Sequence, residues 1–290
     1  MGEAAIFSDI VCELGEGPSF DPQTGKLFWF DIVGKKLLEK KYPYGSTIVH
    51  DLPVMGSAIA TIDSDRQLLV AEDGLYMRDA RTGALVLHTP LEADKPSNRS
   101  NDSRVHPSGS IWIGTMAKDE AARAGAIYWF RQGELRLLYS GVTVPNSICF
   151  SPDGAIAYLT GIVGNVIQRV ACDPATGLPN GELQTFVDTT GATDWVDGSV
   201  VDADGVLWNA RWGGARVDAY APDGKLLRSY PVPARQSSCP AFVGPDGSRI
   251  AVTSAWKGMD TSARAADPGG GKTFLLDVAV RGRFEPTVLI

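Results

Sequence analysis

The sequence predicts an all-β fold, a six-bladed β-propeller that forms a single domain over residues 1–290, and three observations predict it. The 290 residues include 32 Gly and 18 Pro without a Gly-X-Y period, which suits many short strands joined by turns. One turn signal recurs six times along the chain. The runs that follow the turns are short and rich in aromatic and β-branched residues, as in half-buried strands.

The recurring signal is an apolar residue, a short polar or Pro-containing turn and an apolar run. Its copies begin at spacings of 42, 43, 45, 51 and 42 residues. They are FDPQTGKLFWF from Phe20, IDSDRQLLVA from Ile62, VHPSGSIWIG from Val105, FSPDGAIAYL from Phe150, VDADGVLWNA from Val201 and VGPDGSRIAV from Val243. Asp-Pro and Pro-Asp-Gly favour tight hairpin turns. A period of about 40 to 50 residues with several strands indicates propeller blades.

The individual strands follow from these hairpins in chain order. Runs 27–30, 111–113 and 206–208 come directly after a turn and are predicted strands. Segments 164–170 and 214–220 predict further strands within their repeats. The leader before the first repeat is expected to add a strand to the last blade, closing the ring and covering its edges. A β-sandwich with coincidental turns is the competing interpretation.

Charge and composition exclude several classes of function. The 27 Lys and Arg against 34 Asp and Glu give a net charge of −7, so a nucleic-acid partner is not expected. No apolar run reaches the length of about 18 residues that spans a membrane. The N-terminus lacks the basic and apolar regions of a signal peptide, so we expect a cytoplasmic protein. The four cysteines are scattered without a CxxC pair and are expected to be reduced core residues.

The position four residues before each repeat carries the first functional signal. It is occupied by Glu16, Ala58, Asn101, Asn146, Asp197 and Cys239. Equivalent positions of a propeller lie on a ring around the central channel. Glu16, Asn146 and Asp197 would offer one divalent cation two carboxylates and an amide. Ca²⁺ is favoured, Mg²⁺ and Mn²⁺ are alternatives, and Zn²⁺ is less natural without Cys or His. The competing interpretation is that these are ordinary turn or cap residues.

The third repeat adds a second signal in NRSND. Arg99 and Asn101 are two residues apart, which places both side chains on one face of a strand. A guanidinium and an amide aimed at the channel would bind a polyol or a carboxylate. The alternative is a structural Arg99 paired with Asp102 or another acid.

Other motifs give weaker evidence about function. The three histidines, His50, His88 and His106, are isolated, and surface or turn positions are expected for them. DPGGGKT, at residues 267–273, resembles a phosphate loop but lacks its first glycine and its strand-to-helix context. We therefore interpret it as a flexible hairpin loop.

The chain resembles the SMP-30/gluconolactonase/regucalcin family of six-bladed propellers over nearly its whole length. The resemblance rests on LGEGPSFDPQTGKLFWFDI, NRSNDSRVHPSGSIWIGTM, PNSICFSPDG, VDGSVVDADGVLWNARWGG and SAWKGMD, in that order. It implies a divalent metal ion held by Glu16 of GEGP, Asn146 of PN and Asp197 of DG. It also implies substrate contacts from Arg99 and Asn101, and an acidic contact near Asp119. Ser147 stands where the family often has Gly.

The leading functional hypothesis is metal-dependent hydrolysis of a sugar lactone, an aldonolactone, to the aldonic acid. The cation would polarise the lactone carbonyl, and Asp197 is the candidate general base. One alternative is a metal-dependent esterase or phosphotriesterase on the same scaffold. Others are a calcium-binding regulatory protein without catalysis and a scaffold for protein interactions. The expected partner is a small-molecule sugar lactone, and the residues indicate no oligomeric state.

Overall fold

The computed structural model describes residues 4–290 and contains six four-stranded antiparallel sheets. In the first five sheets the strands follow chain order from the innermost to the outermost. The innermost strands of neighbouring sheets contact one another around a closed ring. The prediction of a six-bladed β-propeller is therefore confirmed.

The blades are numbered in chain order. The first three contain β2 (Gly15–Asp21), β3 (Lys26–Asp31), β4 (Lys36–Lys41) and β5 (Ile48–Asp51); β6 (Gly56–Thr61), β7 (Arg66–Ala71), β8 (Gly74–Asp79) and β9 (Leu85–Pro90); and β10 (Asn98–Val105), β11 (Ile111–Ala117), β12 (Gly125–Arg131) and β13 (Glu134–Val142). Blades 4 and 5 contain β14 (Asn146–Phe150), β15 (Ile156–Thr160), β16 (Val166–Ala171) and β17 (Gln184–Asp188), then β18 (Trp195–Val201), β19 (Leu207–Trp212), β20 (Arg216–Tyr220) and β21 (Leu226–Pro231). Blade 6 contains β22 (Ser237–Val243), β23 (Arg249–Ser254), β24 (Thr273–Leu275) and β1 (Ala5–Ser8).

Blade 6 is built from both ends of the chain. Its outermost strand is β1, which pairs antiparallel with β24, with Ala5 opposite Leu275 and Ile6 opposite Phe274. This pairing joins the N-terminal strand to the last repeat, completes blade 6 and covers the outer edge of β24. The expected closure by an N-terminal strand is confirmed.

The hydrophobic cores lie between neighbouring blades, so both faces of most sheets are apolar. Trp112 of blade 3 packs edge-on against Phe150 of blade 4, with ring centroids 5.5 Å apart. Trp29 of blade 1 packs near Phe7 of the closing strand. Full burial of such a side chain contributes about 2 to 3 kcal/mol. All four cysteines are buried and free, as the sequence predicts.

Every innermost strand contains an irregularity of register beside the repeat position identified from the sequence. Such bulges change the direction in which a side chain points. Two glycines, Gly17 and Gly198, directly follow a repeat position and are required there because the next blade approaches their backbone closely. A Cβ on Gly17, which has a φ of +56°, would lie 1.9 Å from the carbonyl oxygen of Ser57. A Cβ on Gly198 would lie 2.4 Å from Sγ of Cys239.

The C-terminal segment, residues 276–290, contains no strand and crosses from blade to blade. Its backbone bonds to blade 6, where Val280 donates to Ser248, and to blade 5, where Ala203 donates to Arg281. It reaches blade 2 where Val288 donates its N–H to the carbonyl of Thr61, at 2.9 Å. The segment thus covers the end of the ring at which the innermost strands finish. We call this end the base and the opposite end the mouth.

One short helix, α1 (Thr261–Ala266), interrupts blade 6 and was not predicted from the sequence. Asp260 caps it by accepting the N–H of Ala263 at 2.8 Å. The DPGGGKT motif follows as a series of turns that leads into β24. Within residues 4–290 no helix is long and apolar enough to cross a membrane.

Candidate active site

A cavity of about 470 Å³ opens at the mouth, where the innermost strands begin. Residues from five blades line it, and bulges in the innermost strands help to turn side chains toward the channel. Five of the residues selected from the sequence are among them: Glu16, Arg99, Asn101, Asn146 and Asp197. The structure therefore brings the predicted ligand set and two of the predicted substrate contacts, Arg99 and Asn101, into one cavity, while their roles stay predictions.

The carboxyl groups of Glu16 and Asp197 are both buried and lie close enough to interact directly. Burial, together with the charge of Asp102, raises the pKa of Glu16 to about 8. Burial and the neighbouring Glu16 raise the pKa of Asp197 well above its usual range. Carboxylates that repel each other in a site of low polarity are stabilised either by a proton or by a cation.

Asn101 connects Arg99 to Asn146 by hydrogen bonds. Its Oδ1 accepts from Nη1 of Arg99 at 2.7 Å, and its Nδ2 donates to Oδ1 of Asn146 at 2.8 Å. The same Nδ2 donates to the carbonyl of Pro145 at 2.9 Å. Arg99 is therefore held by an amide, whereas Asp102, the alternative partner suggested by the sequence, accepts the N–H of Ile148 at 2.7 Å.

A cluster of charges, most of them buried, surrounds this hydrogen-bonded chain. Four carboxyl groups and three guanidinium groups interact within it: Glu16, Asp102, Asp197, Glu285, Arg99, Arg104 and Arg283. With every group ionised the cluster has a formal charge of −1. Buried charge of this kind is costly unless it is balanced. A cation bound between Glu16 and Asp197 would offset their charge.

Asp119, expected near the substrate, does not line the cavity. Its side chain lies on the surface and accepts the N–H of Ala121 at 3.1 Å. The next residue, Glu120, has a left-handed φ of 61°, lines the cavity and pairs with Lys257 of blade 6. Both positions are acidic and lie in a loop, so the sequence indicated the segment but not which carboxylate faces the cavity.

Two tryptophans, Trp195 and Trp212, also line the cavity at the mouth. Trp195 lines the cavity although 58% of its surface is exposed, and it lies opposite Trp212 in the pairing of β18 with β19. Asn165 holds the adjoining backbone, accepting the N–H of Val196 and donating to the carbonyl of Asp194, both at 2.7 Å. An exposed tryptophan on a backbone fixed in this way is typical of a binding surface.

The histidines lie away from the cavity. His106 lies in the turn after β10, which is one of the two expected positions; its side chain is fully buried, and its Nε2 bonds to the carbonyl of Gly154 at 2.8 Å. Within residues 4–290 no group of three or more His, Cys, Asp or Glu side chains is arranged to hold a metal ion. The candidate set differs from such a group because its third member is an amide, that of Asn146.

The fold and this cavity define a propeller with a polar channel mouth, and the comparisons give its family. The model of the SMP-30/Gluconolactonase/LRE-like region matches residues 14–256. The match includes all six of the innermost strands and every residue of the predicted ligand set. The chain belongs to this family.

Individual relatives are similar over nearly their whole length. A putative sugar lactone lactonase of Rhizobium meliloti is 51% identical over 96% of this chain and 95% of its own. A pentonolactonase of Haloferax volcanii is 34% identical over 96% and 95%. A solved structure described as a calcium-binding protein, regucalcin, from Agrobacterium tumefaciens is 47% identical. It matches with a TM-score of 0.98 over 100% of this chain and 98% of that one.

Proposed function

We propose that this protein hydrolyses a sugar lactone to the corresponding aldonic acid in the mouth cavity, with the help of one divalent cation. The observation that supports this proposal best is that one cavity is lined by five of the residues selected from the sequence: Glu16, Asn146, Asp197, Arg99 and Asn101. The names of the relatives support the reaction class, since two of those described above are named lactonases. The cavity volume of about 470 Å³ is in the range of small-molecule sites.

The donor chemistry of the site fits a hard cation. Glu16, Asn146 and Asp197 would supply oxygen atoms only, which suits Ca²⁺ first and also Mg²⁺ or Mn²⁺. The two carboxylates of this set, Glu16 and Asp197, carry a formal charge of −2 when ionised, which one such ion would neutralise. The raised pKa values of Glu16 and Asp197 support the same interpretation, because a bound cation would remove the repulsion that contributes to them. When bound, the ion would supply Lewis-acid polarisation of the lactone carbonyl.

The chain's own groups would then bind and orient the substrate. The Arg99 guanidinium, fixed by Asn101, can donate its remaining N–H groups to the hydroxyls of the lactone. Glu120 is the acidic side chain of its loop that lines the cavity, so we assign to it the contact first expected near Asp119. Trp195 offers an apolar face to the C–H side of the sugar ring.

Asp197 would act as the general base. Its carboxylate would accept a proton from water as the water oxygen adds to the carbonyl carbon of the lactone. The bond from that carbon to the ring oxygen then breaks, and the proton passes to the new hydroxyl of the open-chain acid. Asn209 fixes the backbone of this residue by donating to the Asp197 carbonyl oxygen at 2.9 Å.

The experiment is a lactone panel followed by a pH indicator, because each hydrolysis at neutral pH releases a proton. The panel contains five- and six-carbon aldonolactones, an aryl ester and a phosphotriester, tested on protein stripped by chelation and on the same protein with Ca²⁺, Mg²⁺, Mn²⁺ or Zn²⁺ restored. We expect aldonolactone turnover that falls on chelation and returns with the cation. Turnover that chelation leaves unchanged, and that persists in Asp197→Ala, would exclude this mechanism.

A second candidate function is favoured by the solved structure described as a calcium-binding protein. In this case the same oxygen ligands would bind Ca²⁺ as a regulatory signal, without turnover. The panel distinguishes the two: stoichiometric Ca²⁺ binding by a protein inert on every lactone, ester and phosphotriester would favour the binding protein.

A further inference from the structure

The C-terminal segment places a carboxylate at the base of the channel, beneath the candidate cation ligands. Oε1 of Glu285 pairs with Nη1 of Arg104 at 2.6 Å, and its Oε2 accepts the N–H of Val105 at 3.3 Å. These residues are about 180 positions apart in sequence. The segment contributes no strand to any blade, so this contact is not required by the repeat.

Arg104 crosses the channel from blade 3 to the opposite blades. Its Nη2 lies 3.4 Å from the carbonyl oxygen of Ser199 and 3.4 Å from Sγ of Cys239. Ser199 is two residues from Asp197 on β18, and Cys239 occupies the repeat position equivalent to Glu16. The guanidinium therefore lies directly beside the ring of candidate ligands, and its charge acts on Glu16.

The position of Arg104 depends on Glu285. Its Nε is buried and has no hydrogen-bond partner within the described part of the chain, and its two other contacts are long. The short pair with Glu285 is thus the strongest interaction that orients the guanidinium. It also offsets a positive charge that would otherwise repel a cation bound nearby.

We propose that the C-terminal segment is a functional part of the cation site, in which Glu285 acts through Arg104 as a positioning residue that sets the affinity for the divalent ion. The proposal rests on the cation site of the proposed function. Removing the charge of Glu285 would make the formal charge of the cluster one unit less negative and leave Arg104 with Asp102 as its acidic neighbour. The affinity for a doubly charged ligand is sensitive to such a change.

The test measures Ca²⁺ affinity by isothermal titration calorimetry on the metal-stripped, full-length protein. We expect Glu285→Gln to weaken binding about tenfold or more and Glu285→Asp, which keeps the charge, to bind within about threefold of the unsubstituted protein. Arg281→Gln is the matched control. Arg281 belongs to the same segment, and it pairs with Asp204 of blade 5 on the protein surface. This control is expected to leave the affinity unchanged.

The double variant Glu285→Gln with Arg104→Gln separates charge from structure. It restores the formal charge of the unsubstituted cluster, so we expect it to bind Ca²⁺ more tightly than Glu285→Gln alone. Unchanged affinity in Glu285→Gln, or a double variant weaker than the single one, would overturn the proposal. If the unsubstituted protein binds no divalent cation, the cation site itself is overturned and this inference falls with it.

Discussion

The two ends of the channel are built in different ways. At the mouth, the polar side chains come from equivalent positions of several blades, each presented by a bulge in an innermost strand. At the base, the channel is covered by a segment that occurs once and belongs to no blade. Both ends contain buried charge, but the cavity at the mouth measures about 470 Å³, whereas the one beside Arg104 and Glu285 at the base measures about 40 Å³.

The difference shows how a repeated fold acquires an asymmetric site. The repeat supplies a ring of comparable positions, and substitution at single blades places candidate oxygen ligands at some of them. Ala58 of blade 2 and Cys239 of blade 6 occupy the same repeat position without offering such an oxygen. The non-repeated C-terminal segment then adds one further carboxylate, that of Glu285, at the base.

The largest expected effect is at the mouth. Asp197→Asn keeps the shape of the side chain but removes a candidate cation ligand and the candidate base. We expect kcat/KM for the preferred lactone to fall about a thousandfold and Ca²⁺ binding to weaken strongly. Asp223→Asn, in an exposed turn of the same blade, is the matched control and should keep full activity. Comparable activity in the two variants would contradict the assignment of Asp197.

At the base, the corresponding test concerns stability. Val288 of the C-terminal segment is 1% exposed and packs in the core formed by blades 2 and 3. Val288→Ala should lower the free energy of unfolding by about 2 kcal/mol, while Ca²⁺ affinity stays unchanged. Chemical denaturation and calorimetric titration of the same preparation measure the two quantities. A loss of affinity without a loss of stability would show that the two ends are coupled through more than Glu285.

A smaller effect is expected for the exposed indole at the mouth. Trp195→Ala should raise KM for the lactone about five- to tenfold, with little change in kcat, because it removes a binding surface and no reacting group. Trp195→Phe, which keeps an aromatic face, should recover most of the loss. The thermal midpoint should change little, since the side chain is 58% exposed. An unchanged KM in the alanine variant would exclude a contact with the substrate.

The smallest expected effect is a pH dependence of the free energy of unfolding, which comes from Asp194 beside the mouth. Burial acts to raise the pKa of Asp194, but hydrogen bonds from Arg216 and Arg211 outweigh it, so the pKa is lowered from its usual 3.8. The ionised carboxylate therefore stabilises the fold at neutral pH, and this contribution is lost as the pH falls below about 4. Asp194→Asn should be less stable than the unsubstituted protein at pH 7, and the difference should narrow toward pH 3. A difference that widens in acid would contradict this sign.

Much of the fold could be predicted because each blade repeats the same turn chemistry. The hairpins that begin at Phe20 and Phe150, for example, contain turn residues and strand residues within ten positions of one another. The closing strand could be anticipated because a ring of six repeats leaves an edge to cover. Helix α1 could not, since its six residues have no apolar period and none of its residues is buried.

The candidate site could likewise be predicted only in part from the sequence. The positions of Glu16, Asn146 and Asp197 follow from the repeat, because equivalent residues lie at equivalent places in the ring. The choice between Asp119 and Glu120 depends on the backbone of one loop, and the pair of Arg104 with Glu285 depends on a crossing of the base by a segment without periodicity. No local sequence pattern records a contact between residues about 180 positions apart.

Closure by β1 has a consequence for biosynthesis. The innermost strand of blade 1 contacts that of blade 6, and blade 6 needs strands from both ends of the chain. During synthesis, β1 therefore has to wait for β24, which lies about 270 positions later in the sequence, before the two strands can pair. A nascent chain can form its early hairpins, but blade 6 is completed only after β24 has been synthesised.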